Sequence, residues 1–190
     1  MEGVPFMESE RILLREIIPD QDTDEWYEVM KDPDMHLWTG NTVPENKEDI
    51  RELLQNYKDN GNIIAWAVID KKRNQIIGTY WIWKPLDENN KRIIQTEAQR
   101  ISKKYWRKGY TIEARKLIYK YAFEELKIDE IHAGAWADNI NSCRSMESVG
   151  FILLEQAERL FSKYNKNLIE NHYVLYKTTW ENHCDYLGRR

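Results

Sequence analysis

The opening half of the chain changes from a strand pattern to two helical patterns. Residues 11–17, RILLREI, alternate so that isoleucine and leucine share one face, which predicts a strand. Apolar residues then recur every three or four positions in two segments, one capped by Asp22 or Thr23 and one beginning near Pro44. We therefore predict one strand followed by two helices.

Three strand patterns follow the second helix. NIIAWAVID, residues 62–70, and IIGTYWIW, residues 76–83, flank the polar turn KKRNQ and form a predicted hairpin. A third segment, RIIQTEAQRIS at 92–102, follows the charged loop DENNK and alternates less regularly. These three segments predict an antiparallel meander.

After Gly109 the apolar period becomes helical and continues to Leu126. EIHAGAWA, residues 130–137, then predicts a strand parallel to the preceding one, because a helix connects the two. A short helix ending at Gly150 and two strands, 151–161 and 170–180, complete the order β-α-α-β-β-β-α-β-α-β-β. This order predicts a mixed α/β (α+β) fold and differs from the strict alternation of a doubly wound sheet.

Composition limits the possible functions. The 190 residues suffice for one domain, and a net charge of -4 disfavours non-specific binding to nucleic acid or to anionic membranes. Cys143 and Cys184 are too few for a disulfide framework and lack metal-ligand spacing, so we expect no metal. Without an apolar signal segment or a bilayer-length apolar run, we expect a cytoplasmic protein with no membrane partner.

One candidate functional motif is YWRKGYTIEARKL, residues 105–117, in which cations and a glycine precede the helix with the clearest apolar period. The first amides of a helix have no partner inside it and lie at the positive end of its dipole, so they stabilise an anion. Gly109 permits a close backbone approach, and Arg107 and Lys108 add charge. Neither GxxxxGK[ST] nor GxGxxG occurs, which argues against a Walker-type NTPase or a dinucleotide dehydrogenase.

A second motif, NINSCRSMESVGF at 139–151, lies one predicted strand downstream. Together, WRKGYTIEA and this motif resemble the GNAT superfamily of acyl-CoA N-acetyltransferases, particularly the branch that contains ribosomal-protein alanine acetyltransferases. The resemblance runs from Ser9 to Trp180 and includes LLRE and the element order. It implies a single acyltransferase domain at 9–180 with terminal extensions at 1–8 and 181–190. The implied fold is a mostly antiparallel sheet with a parallel, splayed strand pair.

The resemblance also implies acetyl-CoA as cosubstrate. Its pyrophosphate would be held by the loop residues Arg107, Lys108, Gly109, Tyr110 and Thr111. The pantetheine arm would pair with backbone near Ile101 and Ser102, and the second motif would contribute Asn139 and Ser142. Because a thioester is already activated, such an enzyme mainly orients the amine, accepts its proton and stabilises the departing thiolate.

The catalytic positions depart from the family pattern in part. Thr111 replaces the usual glycine or alanine, and Met146 replaces the tyrosine that protonates the thiolate in many members. Ser142 is therefore the candidate acid, although a serine early in a helix also serves as a backbone cap. Glu97 is the candidate general base if burial raises its pKa, with an ordinary exposed strand residue as the alternative.

The amine acceptor is open at this level: a protein N-terminus, a polyamine or an amine-bearing small molecule. The candidate acceptor-binding rings are Trp38, Trp81, Trp83 and Tyr164, and negative charge comes from Asp32, Asp34 and Glu170. Such a mixture suits a cationic amine, although packing explains the rings equally well. We expect a monomer or a homodimer.

Two rival functions make different predictions. A catalytically inert acyl-CoA-binding module is suggested by Met146 and Thr111 and by the lack of an evident base. A nucleic-acid-binding protein would use a basic stripe, which the acidic total disfavours. Its residues would be Lys103, Lys104, Arg107, Lys108, Arg115 and Lys116.

Overall fold

The computed structural model describes the backbone of residues 3–187 and the side chains of residues 3–182. The chain divides into two compact units, Met1–Lys84 with Ala98–Leu117, and Pro85–Glu97 with Ile118–Arg190. Cys184 and most of the predicted extension 181–190 lie outside the described side chains.

Ten strands and five α-helices form within the described residues. The strands are β1 (Met7–Glu8), β2 (Ile12–Glu16), β3 (Ile63–Asp70), β4 (Gln75–Trp83), β5 (Leu86–Glu88), β6 (Lys91–Ile94), β7 (Glu97–Ile101), β8 (Glu130–Trp136), β9 (Ile152–Phe161) and β10 (Lys166–Tyr176). The helices are α1 (Pro19–Met30), α2 (Lys47–Asp59), α3 (Tyr110–Glu124), α4 (Ile140–Glu147) and α5 (Lys177–Leu187).

The first unit contains a five-stranded sheet in the order β1-β2-β3-β4-β7. β3 and β4 form the predicted hairpin, with Ile63 opposite Trp83 and Asp70 opposite Gln75. Gly78 is required where β4 meets β7, because a Cβ there would lie 2.4 Å from the carbonyl oxygen of Arg100. This close approach holds the strand that leads into the glycine loop.

Helices α1 and α2 cover one face of this sheet. α1 begins with Pro19 at its first turn, earlier than the predicted cap at Asp22 or Thr23, since the fixed φ of proline suits a helix start. α2 is capped by Asn46 and Asp49 in a reciprocal capping box. Their apolar faces form a core with the sheet that includes Ile17, Trp26, Met30, Met35, Ile50, Leu54, Ile63, Ala65, Ala67, Ile69 and Ile76.

The second unit contains a five-stranded sheet in the order β5-β6-β8-β10-β9. β6 and β8 pair in parallel, with Ile93 opposite Glu130 and Ile94 opposite Ile131, and the other pairs of this sheet are antiparallel. The predicted parallel pair is therefore present. This pair is short and ends at Ile94 and Ile131.

Two predicted strands differ in the structure. The segment 92–102 forms two strands, β6 in one sheet and β7 in the other, interrupted at Gln95 and Thr96. The predicted last strand ends at Tyr176, and the following residues begin α5. Trp180 explains the helix: it is buried, stacks on Phe123 at 6.3 Å and meets the Tyr119 ring edge-on at 5.8 Å. This aromatic packing overrides the local strand pattern.

Candidate functional site

The loop between β7 and α3 has an unusual backbone. Arg107 has a φ of 59° and Gly109 a φ of 81°, both in the left-handed region. Glycine adopts this region freely, whereas arginine does so rarely, and such residues persist only where their surroundings fix them. The loop conformation is therefore specified by its contacts.

The first amides of α3 are left unpaired. Among the described residues, none accepts a hydrogen bond from the backbone N–H groups of residues 107–112, and the first paired amide is that of Glu113, 3.0 Å from the carbonyl oxygen of Gly109. Tyr110, Thr111 and Ile112 are partly exposed, so these amides are not enclosed in a core. Consecutive free amides at a helix start form a site for an anion.

Arg11 on the segment before β2 holds one side of the loop. Its Nη1 donates to the carbonyl oxygen of Lys108 at 2.9 Å, its Nε donates to Glu113 Oε2 at 2.6 Å, and its guanidinium lies 4.4 Å from the centre of the Tyr110 ring. Burial raises the pKa of Glu113, but hydrogen bonds from Ser9 and Arg11 outweigh burial and hold it below its ordinary value. Glu113 therefore acts structurally, as its place in the first helical turn suggests.

Tyr105 holds the other side of the loop. Its hydroxyl donates to Asp70 Oδ2 at 2.9 Å, and Arg73 Nη1 donates to the same carboxylate oxygen at 3.0 Å. Burial and the hydrogen bond to Asp70 raise the pKa of Tyr105, whereas the bonds from Tyr105 and Arg73 lower that of Asp70 despite its burial. Asp70 ends β3, so the loop is attached to a central strand.

A cavity of 660 Å³ borders this loop within the first unit. Its lining includes the cations Arg73, Lys103, Lys104 and Lys108 and the acids Glu25, Glu28 and Asp32. Lys103 pairs with Asp34, and Lys108 Nζ donates to the carbonyl oxygen of Lys104 at 2.7 Å. The lining therefore carries both signs of charge: three of its four cations lie on the segment before α3, and its acids lie on and after α1.

The predicted backbone positions at the end of β7 already make internal bonds. The carbonyl oxygen of Ile101 accepts a bond of 2.6 Å from Trp106 Nε1, and the N–H of Ser102 donates to the carbonyl oxygen of Ile77 at 2.7 Å. A carbonyl oxygen can accept a second bond, whereas the Ser102 N–H is committed to the sheet. Of these two groups, only the Ile101 carbonyl retains hydrogen-bonding capacity.

At the start of α4, the residue that caps the helix is not the candidate acid. The side chain of Asn139 caps the helix, because its Oδ1 accepts from the Ser142 N–H at 3.3 Å. Among the described residues, the Ser142 hydroxyl makes no hydrogen bond, and the residue is partly exposed. Met146 is buried and forms part of the core. Asn139 therefore caps α4, and the alternative role of Ser142 as the cap is not observed.

Glu97 lies at the start of β7 and is partly buried. Both of its carboxylate oxygens lie 2.8 Å from the hydroxyl of Tyr119, which donates to them from α3. Tyr119 is itself buried and meets the Phe151 ring edge-on at 5.7 Å. Glu97 is therefore not an ordinary exposed strand residue, but its carboxylate is tied to the core.

The candidate acceptor tryptophans lie in the first unit. Trp81 on β4 packs against the core beneath α1 and α2, Trp83 is exposed at the end of that strand, and Trp38 follows the turn at Pro33–His36. Packing accounts for Trp81.

In the basic stripe of the rival nucleic-acid-binding function, Arg115 is buried, so it does not belong to a surface stripe.

Sequence reasoning missed the contacts that shape the loop. Arg11 and Asp70 bond to the loop from distant parts of the chain, and neither carries a motif. The only local signal is Glu113, whose place in the first turn of α3 marks it as structural.

Within the described residues, no group of three or more His, Cys, Asp or Glu side chains is arranged to hold a metal ion. None of the helices in that part of the chain combines the length and hydropathy that a bilayer span requires.

Known proteins resemble the chain in sequence. The family described as acetyltransferase (GNAT) domain matches residues 11–152. The uncharacterized N-acetyltransferase YjdG of Bacillus subtilis is 28% identical over 103 residues, which are 54% of this chain and 60% of that protein. The alignment thus spans less than two thirds of this relative.

Solved structures resemble it in fold. A GNAT-family acetyltransferase from Bacillus anthracis superposes with a TM-score of 0.79 at 24% identity, covering 92% of this chain and 99% of that one. The ribosomal-protein-S5-alanine acetyltransferase from Vibrio fischeri has a TM-score of 0.72 at 18% identity, with 93% and 98% covered. The family match, the parallel strand pair and the free amides before α3 agree: the chain belongs to the GNAT acetyltransferase family.

Proposed function

We propose that this protein is an N-acetyltransferase that moves the acetyl group of acetyl-CoA, the donor used by its family, to a primary amine by direct attack. The observation that carries the proposal is the run of unpaired backbone amides at residues 107–112. A diphosphate placed there would accept several hydrogen bonds at the positive end of α3.

The same loop residues that the resemblance indicates would hold the cosubstrate. The amides from Arg107 to Thr111 would bind the diphosphate, and the contacts of Arg11 and Tyr105 support this because they fix the loop beforehand. The Ile101 carbonyl oxygen can accept one further bond from the pantetheine arm, while the Ser102 amide stays in the sheet. Asn139 would contribute through the conformation it gives α4.

Ser142 is the side chain proposed to donate to the departing sulfur. Its hydroxyl makes no bond among the described residues, and Asn139 has taken over the capping role. Met146 has no proton to give and is buried. Glu97 stays the candidate base, although the Tyr119 hydroxyl occupies both of its oxygens and favours a structural role.

The acceptor within this proposal is a protein N-terminus, a polyamine or a small amine. The neighbour from Vibrio fischeri is a ribosomal-protein-S5-alanine acetyltransferase by name, and at 18% identity it supports the fold of this chain alone. The choice among acceptors therefore rests on the chain's own surface.

An amine panel tests the proposal. The protein is incubated with acetyl-CoA and representative peptides, polyamines and small amines, and free thiol and acetylated product are measured. We expect acceptor-dependent thiol release, with kcat lowered roughly 10- to 100-fold by Ser142→Ala and largely retained by Ser145→Ala on the same helix. Acetyl-CoA binding without release on any amine would instead indicate the inert acyl-CoA-binding module.

A further inference from the structure

Strand β7 carries a positive charge in apolar surroundings. Arg100 on this strand is partly buried, and its Nη1 lies 3.9 Å from Sδ of Met30. Met30 belongs to the buried core that α1 and α2 form with the sheet of the first unit. An arginine in such a position normally has a carboxylate partner, because a charge taken out of water is costly unless it is paired.

The described residues provide no such partner. None of their carboxylates lies within ion-pairing distance of the Arg100 guanidinium, no aromatic ring is stacked on it, and the one acceptor it reaches is the Met30 sulfur. A thioether is a weak acceptor, whereas a guanidinium has five N–H donors. Burial lowers the pKa of Arg100, and among these residues Tyr57 alone offsets it, with a hydroxyl that is uncharged at neutral pH. Arg100 therefore carries an uncompensated positive charge.

Two other arginines of the first unit show the pairing that Arg100 lacks. Arg15 on β2 binds both oxygens of Asp22, with Nη1 at 2.9 Å from one and Nη2 at 2.6 Å from the other. Arg73 donates to Asp70 Oδ2 at 3.0 Å. Both carboxylates come from the protein itself. The fork of Arg100 is open, although its apolar surroundings make an unpaired charge more costly.

The open edge of the guanidinium is accessible. Within the described part of the chain, Nε and Nη2 of Arg100 make no hydrogen bond, and neither is among the buried, fully enclosed polar atoms that lack a partner. These two nitrogens therefore retain some access to solvent. Their N–H groups lie side by side on one edge of the planar guanidinium, which is the arrangement that binds both oxygens of a carboxylate.

Arg100 also adjoins the proposed position of the cosubstrate. The next residue, Ile101, has the carbonyl oxygen that retains hydrogen-bonding capacity toward the pantetheine arm, and β7 leads into the loop of free amides at 107–112. All of these residues belong to the first unit. Neighbouring Cα atoms lie about 3.8 Å apart, so the arginine is attached beside the proposed path of the acyl donor.

The charge and the surroundings of Arg100 favour a carboxylate as its ligand. The guanidinium acts without a second cation among the described residues, so it matches a single negative charge. A phosphate dianion is more often held by several cations or by a run of backbone amides. Weak screening in apolar surroundings strengthens the attraction to a carboxylate.

We propose that Arg100 binds the carboxylate of the amine acceptor, and that the acceptor is a free amino acid. The inference rests on the proposed function and names the substrate class of the same site. Arg100 determines specificity, because it holds the carboxylate and leaves the amine for acetyl transfer. Tyr57 and the candidate acceptor ring Trp81 pack against the core that contains Met30, so this face of the sheet offers aromatic surface to an apolar amino-acid side chain.

Two acceptors that differ in the carboxylate test the recognition. The measured quantity is the kcat/KM of L-leucine divided by that of L-leucinamide, because comparing this ratio between variants cancels the different reactivities of the two amines. We expect the ratio to fall roughly 10- to 100-fold in Arg100→Gln, and by less in Arg100→Lys, which keeps the charge and loses the fork. Arg51→Gln is the matched control and should leave the ratio unchanged, since Arg51 pairs with Asp20.

Thermal unfolding separates a binding role from a structural one. Arg100→Met keeps much of the aliphatic stem and removes the uncompensated charge, so we expect its Tm without ligand to rise by a few degrees. L-leucine should raise the Tm of the wild type and leave that of Arg100→Met unchanged. A Tm of Arg100→Met below that of the wild type would show that Arg100 serves the fold, which would contradict the proposal.

A titration without turnover distinguishes this inference from the proposed function. The NMR signal of the Arg100 Nε–H group, assigned with the Arg100→Lys variant, should shift with L-leucine and not with L-leucinamide, whether or not acetyl transfer is detected. Calorimetry with acetyl-CoA alone tests the cofactor loop instead. A shift without any acetylation would support the carboxylate site and remove the proposed activity.

Three results would overturn the inference and leave the proposed function intact. The first is acetylation of amines by a protein whose Arg100 signal does not respond to L-leucine. The second is an equal loss of activity toward L-leucine and L-leucinamide in Arg100→Gln. The third is a preference for peptides with an acidic residue over L-leucine, which would place the carboxylate on a different class of acceptor.

Discussion

Helices α3 and α4 both follow strands, but their first amides are used differently. At α4 the side chain of Asn139 accepts from the Ser142 N–H at 3.3 Å, as in an ordinary capped helix. Before and at the start of α3, the amides of residues 107–112 have no partner among the described residues. A capped terminus is stable by itself, whereas an open terminus keeps its donors available for a ligand.

The open terminus is held by contacts made elsewhere. Arg11 bonds to the Lys108 carbonyl oxygen, and Tyr105 bonds to Asp70, so the loop is fixed from both sides. These bonds use side chains and carbonyl groups and leave the amides free. The loop is therefore held in place while its backbone N–H groups stay available as donors to the proposed diphosphate.

The largest expected effect comes from Gly109→Val. A β-branched residue at a φ of 81° is strained, so the amides should move out of position. We expect the Kd of acetyl-CoA to rise by roughly 5- to 150-fold, which corresponds to about 1–3 kcal/mol of strain. Calorimetry measures this, with Gly109→Asn as control because asparagine tolerates the left-handed region. If Gly109→Val and the wild type bound acetyl-CoA with equal affinity, the free amides at the start of α3 would not be its binding site.

Asn139→Ala should affect stability at the other helix start. Loss of the cap is expected to lower the free energy of unfolding by about 1 kcal/mol, and Asn139→Ser should recover most of it. Urea denaturation measures both variants. Acetyl-CoA affinity measured on the folded Asn139→Ala protein shows whether Asn139 also contributes to the cofactor site, as the family resemblance implies. An unchanged stability would show that α4 does not depend on this cap.

Glu113→Gln should give the smallest effect and a specific pH dependence. The folded-state pKa of Glu113 lies below its ordinary value of 4.5, so its stabilisation is complete above that pH and is lost as pH falls through the folded-state value. We expect about 0.5 kcal/mol less stability for the variant at neutral pH, because solvent screens the exposed Arg11, with the difference vanishing in acid. Denaturation at pH 3 to 7 measures it, with exposed Glu124→Gln as control. A difference that persists in acid would contradict this role.

Local patterns were sufficient where a segment's periodicity matches its environment. The hairpin of β3 and β4, helix α3 and strand β8 follow their apolar periods closely. The segment 92–102 reads as one strand because nothing local marks the change of sheet, which depends on the partners that β6 and β7 find. Likewise, α5 depends on the packing of Trp180 against Phe123, which no local period records.

The candidate site was predictable to a similar extent. The glycine and the helix start are local, so the loop could be identified from residues 105–117. The contact that holds it joins Arg11 to Glu113 across 102 positions, and such a pairing has no local signal. Likewise, the pairing of β8 with β10 brings His172 opposite Gly134, and neither segment signals this register locally. Sequence patterns thus predict backbone chemistry better than they predict side chains assembled by pairing.

A crystal structure with acetyl-CoA tests the central claim most directly. The account predicts diphosphate oxygens within hydrogen-bonding distance of the backbone amides from Arg107 to Thr111, with the bonds of Arg11 and Tyr105 intact. A bound cosubstrate whose diphosphate lies elsewhere, with these amides facing only water, would contradict it.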